Sequence, residues 1–199
     1  MTSSAFDAAL PFTLRWEGGF VDHPADPGGA TNKGVTQKVY DTWRRDHGQA
    51  SRTVRELEDG EMRAIYEAGY WTPARCPALD SPLDLLQFDT AVNMGIGRAV
   101  RFLQKAVGAS VDGDFGPGTK KCVDNCDPGD ALIAYCNARE AFYRQLVVDR
   151  PQMGVFLKGW MNRLNALRKA VGLPGFESAS DEVDFGDAGY IARVPDDAP

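Results

Sequence analysis

The segment Trp16–Thr36, WEGGFVDHPADPGGATNKGVT, decides how the chain is read. Phe6, Leu10 and Leu14 recur every four residues before it and Glu17 comes three later, so a helix over 3–17 carries Glu17 at the end of its apolar face. Gly18 and Gly19 stop that helix. A carboxyl group so placed is half desolvated, which disfavours its charged form and suits it to general-acid work. Asp22 and Asp26 lie just beyond, among the turn residues Pro24, Pro27, Gly28 and Gly29, so a second, more solvated carboxylate can fold back toward the first. Two carboxyl groups in unlike environments are the minimum equipment for glycosidic hydrolysis. Acids beside turns are also ordinary loop chemistry, so spacing alone does not decide between a site and a solvated surface.

Composition narrows the class. With 199 residues, 43% hydrophobic and 25% charged, the chain suits one well-buried domain or a domain with a small second lobe. No apolar run is long enough to cross a bilayer, so no integral membrane segment is expected. The N-terminus has no basic region and carries Asp7 in its apolar part, which does not read as a signal peptide. Seven of the 28 acids and one of the 22 bases lie from Leu173 onward, leaving 21 of each in the body. A balanced body argues against a nucleic-acid partner, which demands clustered Lys and Arg.

The cysteines, Cys76, Cys122, Cys126 and Cys136, lack the spacing of a zinc site and stand far from His23 and His47. They read as small buried hydrophobes, with a disulfide left open. Asp112, Asp114 and Gly116 hint at a calcium loop, but Val123 stands where its bidentate Glu belongs, so no metal is expected.

Further helices are read from pattern. Thr36 caps a helix running to about Arg45, Thr53 with Glu56 matches a capping box, and Met62, Ile65, Tyr66, Gly69 and Tyr70 form one stripe. Tyr66 reads as core, whereas Tyr70 and Trp71 could border a sugar groove. Ser81-Pro82 predicts a helix start. On the helix after it, Asp89 and Asn93 share a face, as a satisfied internal pair or as cleft wall. Helices are also expected over 98–107, from Pro117, over 130–149, and after Pro151 through Trp160 and Leu167, with an acidic, irregular tail from 173.

Several segments together resemble glycoside hydrolase family 108, the phage-type N-acetylmuramidases. They are Glu17-Gly18-Gly19-Phe20, Asp26-Pro27-Gly28-Gly29, Thr31-Asn32-Lys33-Gly34-Val35-Thr36, Phe88-Asp89-Thr90-Ala91-Val92-Asn93-Met94-Gly95 and Phe156-Leu157-Lys158-Gly159-Trp160-Met161-Asn162-Arg163. The turn Asp112-Gly113-Asp114-Phe115-Gly116-Pro117-Gly118-Thr119 is similar to one in the peptidoglycan-binding half that accompanies the family. The resemblance implies a mainly α, lysozyme-like helical domain with a small hairpin or loop lobe at the active site. It divides the chain into a catalytic part over 1–95, a helical peptidoglycan-binding part over 96–172 and the tail over 173–199.

It also implies cleavage of the β-1,4 bond between N-acetylmuramic acid and N-acetylglucosamine, with Glu17 as general acid. Asp26 would stabilise charge or orient water, and Thr31 would hold that water. The Glu17–Asp26 interval equals that of phage lysozymes, while the interval to Thr31 is one residue short. Asp22 is the rival second carboxylate, and Asp22, Tyr70, Trp71 and Asn93 are candidate substrate contacts. If the second group works through water, the carboxyls should stand roughly 6.5–9.5 Å apart. The expected partner is the glycan strand of peptidoglycan, acted on by a monomer without cofactor. Synthesis in the cytoplasm would require a holin or secretion route to reach the wall. The rival readings are a non-catalytic wall-binding or secretion-accessory protein and a chitinase-like hydrolase.

Overall fold

The computed structural model describes residues 4–22, 29–176 and 194. Eight α-helices and one two-stranded hairpin make up its regular structure among those residues, bearing out the mainly α expectation.

The first helix, α1 (Ala5–Leu14), starts at Ser4, whose hydroxyl accepts from the Asp7 N–H while the Asp7 carboxylate accepts from the Ser4 N–H. This reciprocal cap begins the helix two residues later than the pattern suggests. Pro11 lies inside it on an exposed position. The chain turns once more through Trp16 and Glu17, and Gly18, at φ +72°, ends the turn in the left-handed conformation a helix terminus favours.

Strands β1 (Thr31–Asn32) and β2 (Val35–Thr36) pair antiparallel, Thr31 with Thr36 and Asn32 with Val35. Lys33 and Gly34 between them both have positive φ, 48° and 74°, as the tightest hairpin turn requires. Val21 bridges to Thr31 through two backbone bonds of 2.8 Å, tying the strand to the segment after Glu17. Thr36 caps α2 (Gln37–Asp46), as expected. Thr53 caps a single 3-10 turn, Val54–Glu56, and α3 (Asp59–Tyr66) comes next.

The stripe through Tyr70 does not continue as one α-helix. Residues Glu67–Trp71 form a π-turn, in which the Thr72 N–H reaches the Glu67 carbonyl at 3.0 Å. One inserted residue rotates the downstream side chains by about 100°. Trp71 therefore turns inward, 5.4 Å from Phe6 and 5.5 Å from Phe88 between ring centres.

The C-terminal helices are α4 (Leu83–Met94), α5 (Ile96–Ala106), α6 (Pro117–Asn125), α7 (Pro128–Asp149) and α8 (Gly154–Ala170). Ser81 does not cap α4, which begins after Pro82 without a side-chain cap. Helix α4 is buried on nearly every side, packed by α1, α5 and α7, while α8 lies on α7. The turn before α6 is built around Gln104, whose amide donates to Asp112 Oδ1 at 2.6 Å, Asp114 O at 3.0 Å and Thr119 Oγ1 at 3.1 Å, and whose oxygen accepts from Gly113 N at 2.8 Å. That satisfied amide makes the turn a structural corner of α5 and α6.

Two clusters form the core. One gathers Phe6, Leu10, Tyr40, Ile65, Tyr66, Trp71 and Phe88; the other joins Phe12 and Trp16 to Leu86, Leu132, Tyr135, Trp160 and Leu164. Of the tail, Val194 is buried in the second cluster and its N–H donates to the Asn93 carbonyl at 3.0 Å. The four cysteines are free, Cys76 and Cys136 being buried. No helix among the described residues is long and apolar enough to cross a membrane.

Candidate active site

Glu17 is 2% exposed. The sequence predicts mainly apolar surroundings for it; the structure instead supplies a cation. Arg163 Nη1, from α8, donates to Glu17 Oε1 at 2.9 Å across 146 residues of sequence. Two other nitrogens of that guanidinium reach Asp89 on α4: Nη2 meets Oδ1 at 2.8 Å and Nε meets Oδ1 at 3.0 Å. Asp89 also accepts from Arg139 Nη1 of α7 at 2.8 Å and from Thr13 Oγ1 of α1 at 3.3 Å.

Arg139 then reaches Thr90 Oγ1 at 3.0 Å and Asn93 Oδ1 at 3.3 Å, and Tyr143 donates to Asn93 Oδ1 at 2.7 Å. Trp160 stacks on Tyr143, 5.3 Å between ring centres, and closes the network from α8. Asp89, Arg139 and Arg163 are wholly buried, so four helices meet on charged groups that water does not reach.

Burial opposes the ionised form of Asp89, yet the guanidinium charges of Arg163 and Arg139 outweigh it and hold the carboxyl below its usual range. Burial likewise works against the charge on Arg163, and Asp89 and Glu17 overcome it, raising its pKa. Such a network needs every member, because each charge left unpaired in the interior costs several kcal/mol.

The hairpin closes against the other side of Glu17. Tyr66 donates to the Lys33 carbonyl at 2.8 Å, and Asn32 Nδ2 donates to the Val54 carbonyl at 3.0 Å, so the turn is fixed from α3 and from the 3-10 segment. A Cβ built on Gly34 would collide with the Tyr66 hydroxyl and stand 2.7 Å from Glu17 Oε2. Glycine is needed there twice, for its φ of +74° and for this approach. We expect Gly34→Ala to cost about 1–2 kcal/mol of stability from φ alone. Its turnover should fall further than that stability loss explains, because Glu17 must move; assays on purified peptidoglycan beside a thermal melt check both.

A cavity of about 510 Å3 opens beside this point. Gly18 and Gly19 line it with Asn32 and Lys33 of the hairpin, Leu10 and Leu14 of α1, and Asp59, Met62 and Arg63 of α3. Apolar stems with a few polar ends are what a sugar ring needs, and the volume suits a small ligand. Glu17 is not on the lining itself, but the two residues that follow it in the chain are.

The other expected site residues divide. Thr31 lies in β1, its hydroxyl 3.4 Å from the Gly29 carbonyl, and Asp22 is exposed one residue past the Val21 bridge. Asp26 lies outside the described residues. Tyr70 is half-buried on the π-turn, 5.6 Å from Tyr66 between ring centres. Two expectations are corrected. Trp71, 5% exposed, belongs to the aromatic core because of the π-turn, and Asn93, 0% exposed, is held inside by Tyr143 and Arg139, so neither forms an open groove wall.

Arg139, and the role of Arg163 at the end of the family-like segment Phe156–Arg163, are what sequence reasoning missed. Arg163 is three residues after the core residue Trp160, and Arg139 stands midway between the buried Tyr135 and Tyr143, so helical spacing places both inward. Two inward arginines demand buried acids, and that demand was the available signal.

Comparison with known proteins fits this geometry. Residues 10–95 match the family model described as Glycosyl hydrolase 108, and residues 98–165 match one described as Predicted Peptidoglycan domain. The solved structure of Brucella abortus SagA is 32% identical over 85% of this chain and 95% of its own, with a TM-score of 0.69. The chain belongs to the glycosyl hydrolase 108 family. No curated protein matches it. The family 108 match covers Glu17, the hairpin and Asp89, whereas Arg139, Tyr143 and Arg163 fall within the second match. Membership makes this protein a glycoside hydrolase, and the two matches together support peptidoglycan as its substrate, which lies outside the cytoplasm.

Proposed function

We propose that this family 108 protein is an N-acetylmuramidase, cleaving the β-1,4 bond between N-acetylmuramic acid and N-acetylglucosamine with Glu17 as general acid. The observation that carries the reading is the setting of Glu17: a buried carboxyl group, gripped at one oxygen by Arg163 and closed over by the Gly34 turn, next in the chain to the glycines that line a sugar-sized cavity. A fixed proton donor at the departing oxygen is what leaving-group departure requires while charge builds on the sugar ring.

Asp26 would stabilise that charge or orient the attacking water, with Asp22 as its rival and Thr31 beside them. The exposure of Asp22 suits a solvated second carboxylate. Comparing Asp22→Asn with Asp26→Asn in one turnover assay tells the two apart. The cavity supplies the groove for the glycan strand, and neither step calls for a metal.

Mass spectrometry of borohydride-reduced digests of purified peptidoglycan tests the bond assignment. Reduced N-acetylmuramic acid ends are the expected product. Reduced N-acetylglucosamine ends, or freed stem peptides, would contradict it. A protein that sediments with insoluble peptidoglycan yet releases no ends would be a binder.

A further inference from the structure

The boundary between the two matched segments falls at residues 95–98, yet the charge network ignores it. Glu17 and Asp89 come from the first segment, and both arginines that hold them come from the second. We propose that Arg163 is a positioning residue for Glu17, so that the C-terminal segment completes the hydrolytic site. The inference rests on the reading of Glu17 as the acid.

Three observations support it. The Arg163 side chain is 0% exposed and its guanidinium is engaged by Glu17 and Asp89, so it acts through those carboxyl groups. Its Nε and Nη2 are committed to Asp89, which Arg139 and Thr13 hold in turn, so the guanidinium plane cannot swing. Nη1 is directed at Glu17, and it fixes Oε1 while Oε2 stays at the Gly34 turn. A planar fork can satisfy two carboxyl groups at set angles, whereas an ammonium is a single point of charge. Phe12 and Trp16 of the first segment share a core cluster with Leu132, Trp160 and Leu164 of the second, so the contact joins parts of one packed body.

The test compares Arg163→Lys, Arg163→Met and Glu17→Gln in the full chain, by reducing-end release from purified peptidoglycan, sedimentation with insoluble peptidoglycan and thermal melting. Arg163→Lys keeps a charge opposite Asp89, and Arg163→Met keeps length without charge; whichever folds decides the matter. The expected result is a kcat lowered by about 100-fold, the cost of misplacing a catalytic group by about 1 Å. KM and sedimentation should stay close to wild type, because no substrate contact is lost. In a Glu17→Gln background the Arg163 substitution should cost little more, since both act at one carboxyl group.

A folded Arg163 variant with wild-type kcat, a loss confined to KM and sedimentation, or a full second loss on top of Glu17→Gln would each overturn the inference. An inactive Glu17→Gln beside an active Arg163 variant fails this inference alone; an active Glu17→Gln fails the acid assignment and takes the inference with it.

Discussion

Asp89→Asn is expected to lower the unfolding free energy by about 3–5 kcal/mol, the usual consequence of removing one partner from a buried ion pair. Asp89 is wholly buried and accepts from two arginines at 2.8 Å each. An amide offers one acceptor oxygen and no charge, so Arg139 and Arg163 would face each other with Glu17 as the nearest remaining acid of the network. Urea titration of the two proteins measures the difference. A loss below about 1 kcal/mol would be the size of an exposed pair and would contradict the buried network.

The same carboxyl group sets a pH dependence. Its folded-state pKa lies below the ordinary value of 3.8, so the stability it contributes is present above that value and is lost as pH falls through the lower folded one. Wild type should therefore lose stability steeply below about pH 4, and Asp89→Asn should show a flatter acid limb in that window. Equal slopes would mean that Asp89 is not the linked group.

Much of the site was legible because its signals are local. Gly18 was expected to end the turn carrying Glu17, Thr36 to cap α2, and both hold because capping depends on residues within one turn. The inward placing of Asp89 was readable from a polar residue on an apolar helix. Trp71 escaped because a π-turn leaves no mark in an apolar stripe; Met62, Ile65, Tyr66 and Tyr70 read the same whether the next turn holds four residues or five. Ser81 escaped as well, since a Ser-Pro pair is compatible with both a cap and a preceding turn.

The clamp on Glu17 is a different kind of miss. It joins residues 146 apart, and nothing within a window around Glu17 announces a guanidinium. Only an accounting of inward charges over the whole chain would have paired two arginines with two acids. The consequence is chemical. The sequence alone describes an acid in a greasy pocket, whereas the folded chain describes an acid whose direction is set by a cation that never meets solvent.

Glu17→Gln carries the largest expected loss of activity. A side-chain amide still accepts from Arg163 Nη1 and fills the same volume behind the Gly34 turn, so the protein should fold. It cannot give a proton to the departing oxygen, and general-acid catalysis is worth about 10²–10⁴-fold. Sedimentation with insoluble peptidoglycan should persist, because Glu17 is not on the cavity lining and the lining residues are untouched.

The most direct measurement is the release of reducing ends from purified peptidoglycan by equal amounts of folded wild type and Glu17→Gln. Release by the wild type, and a fall of at least about 100-fold in the variant, is the predicted outcome. Release by Glu17→Gln at the wild-type rate would contradict the assignment of Glu17 as the proton donor.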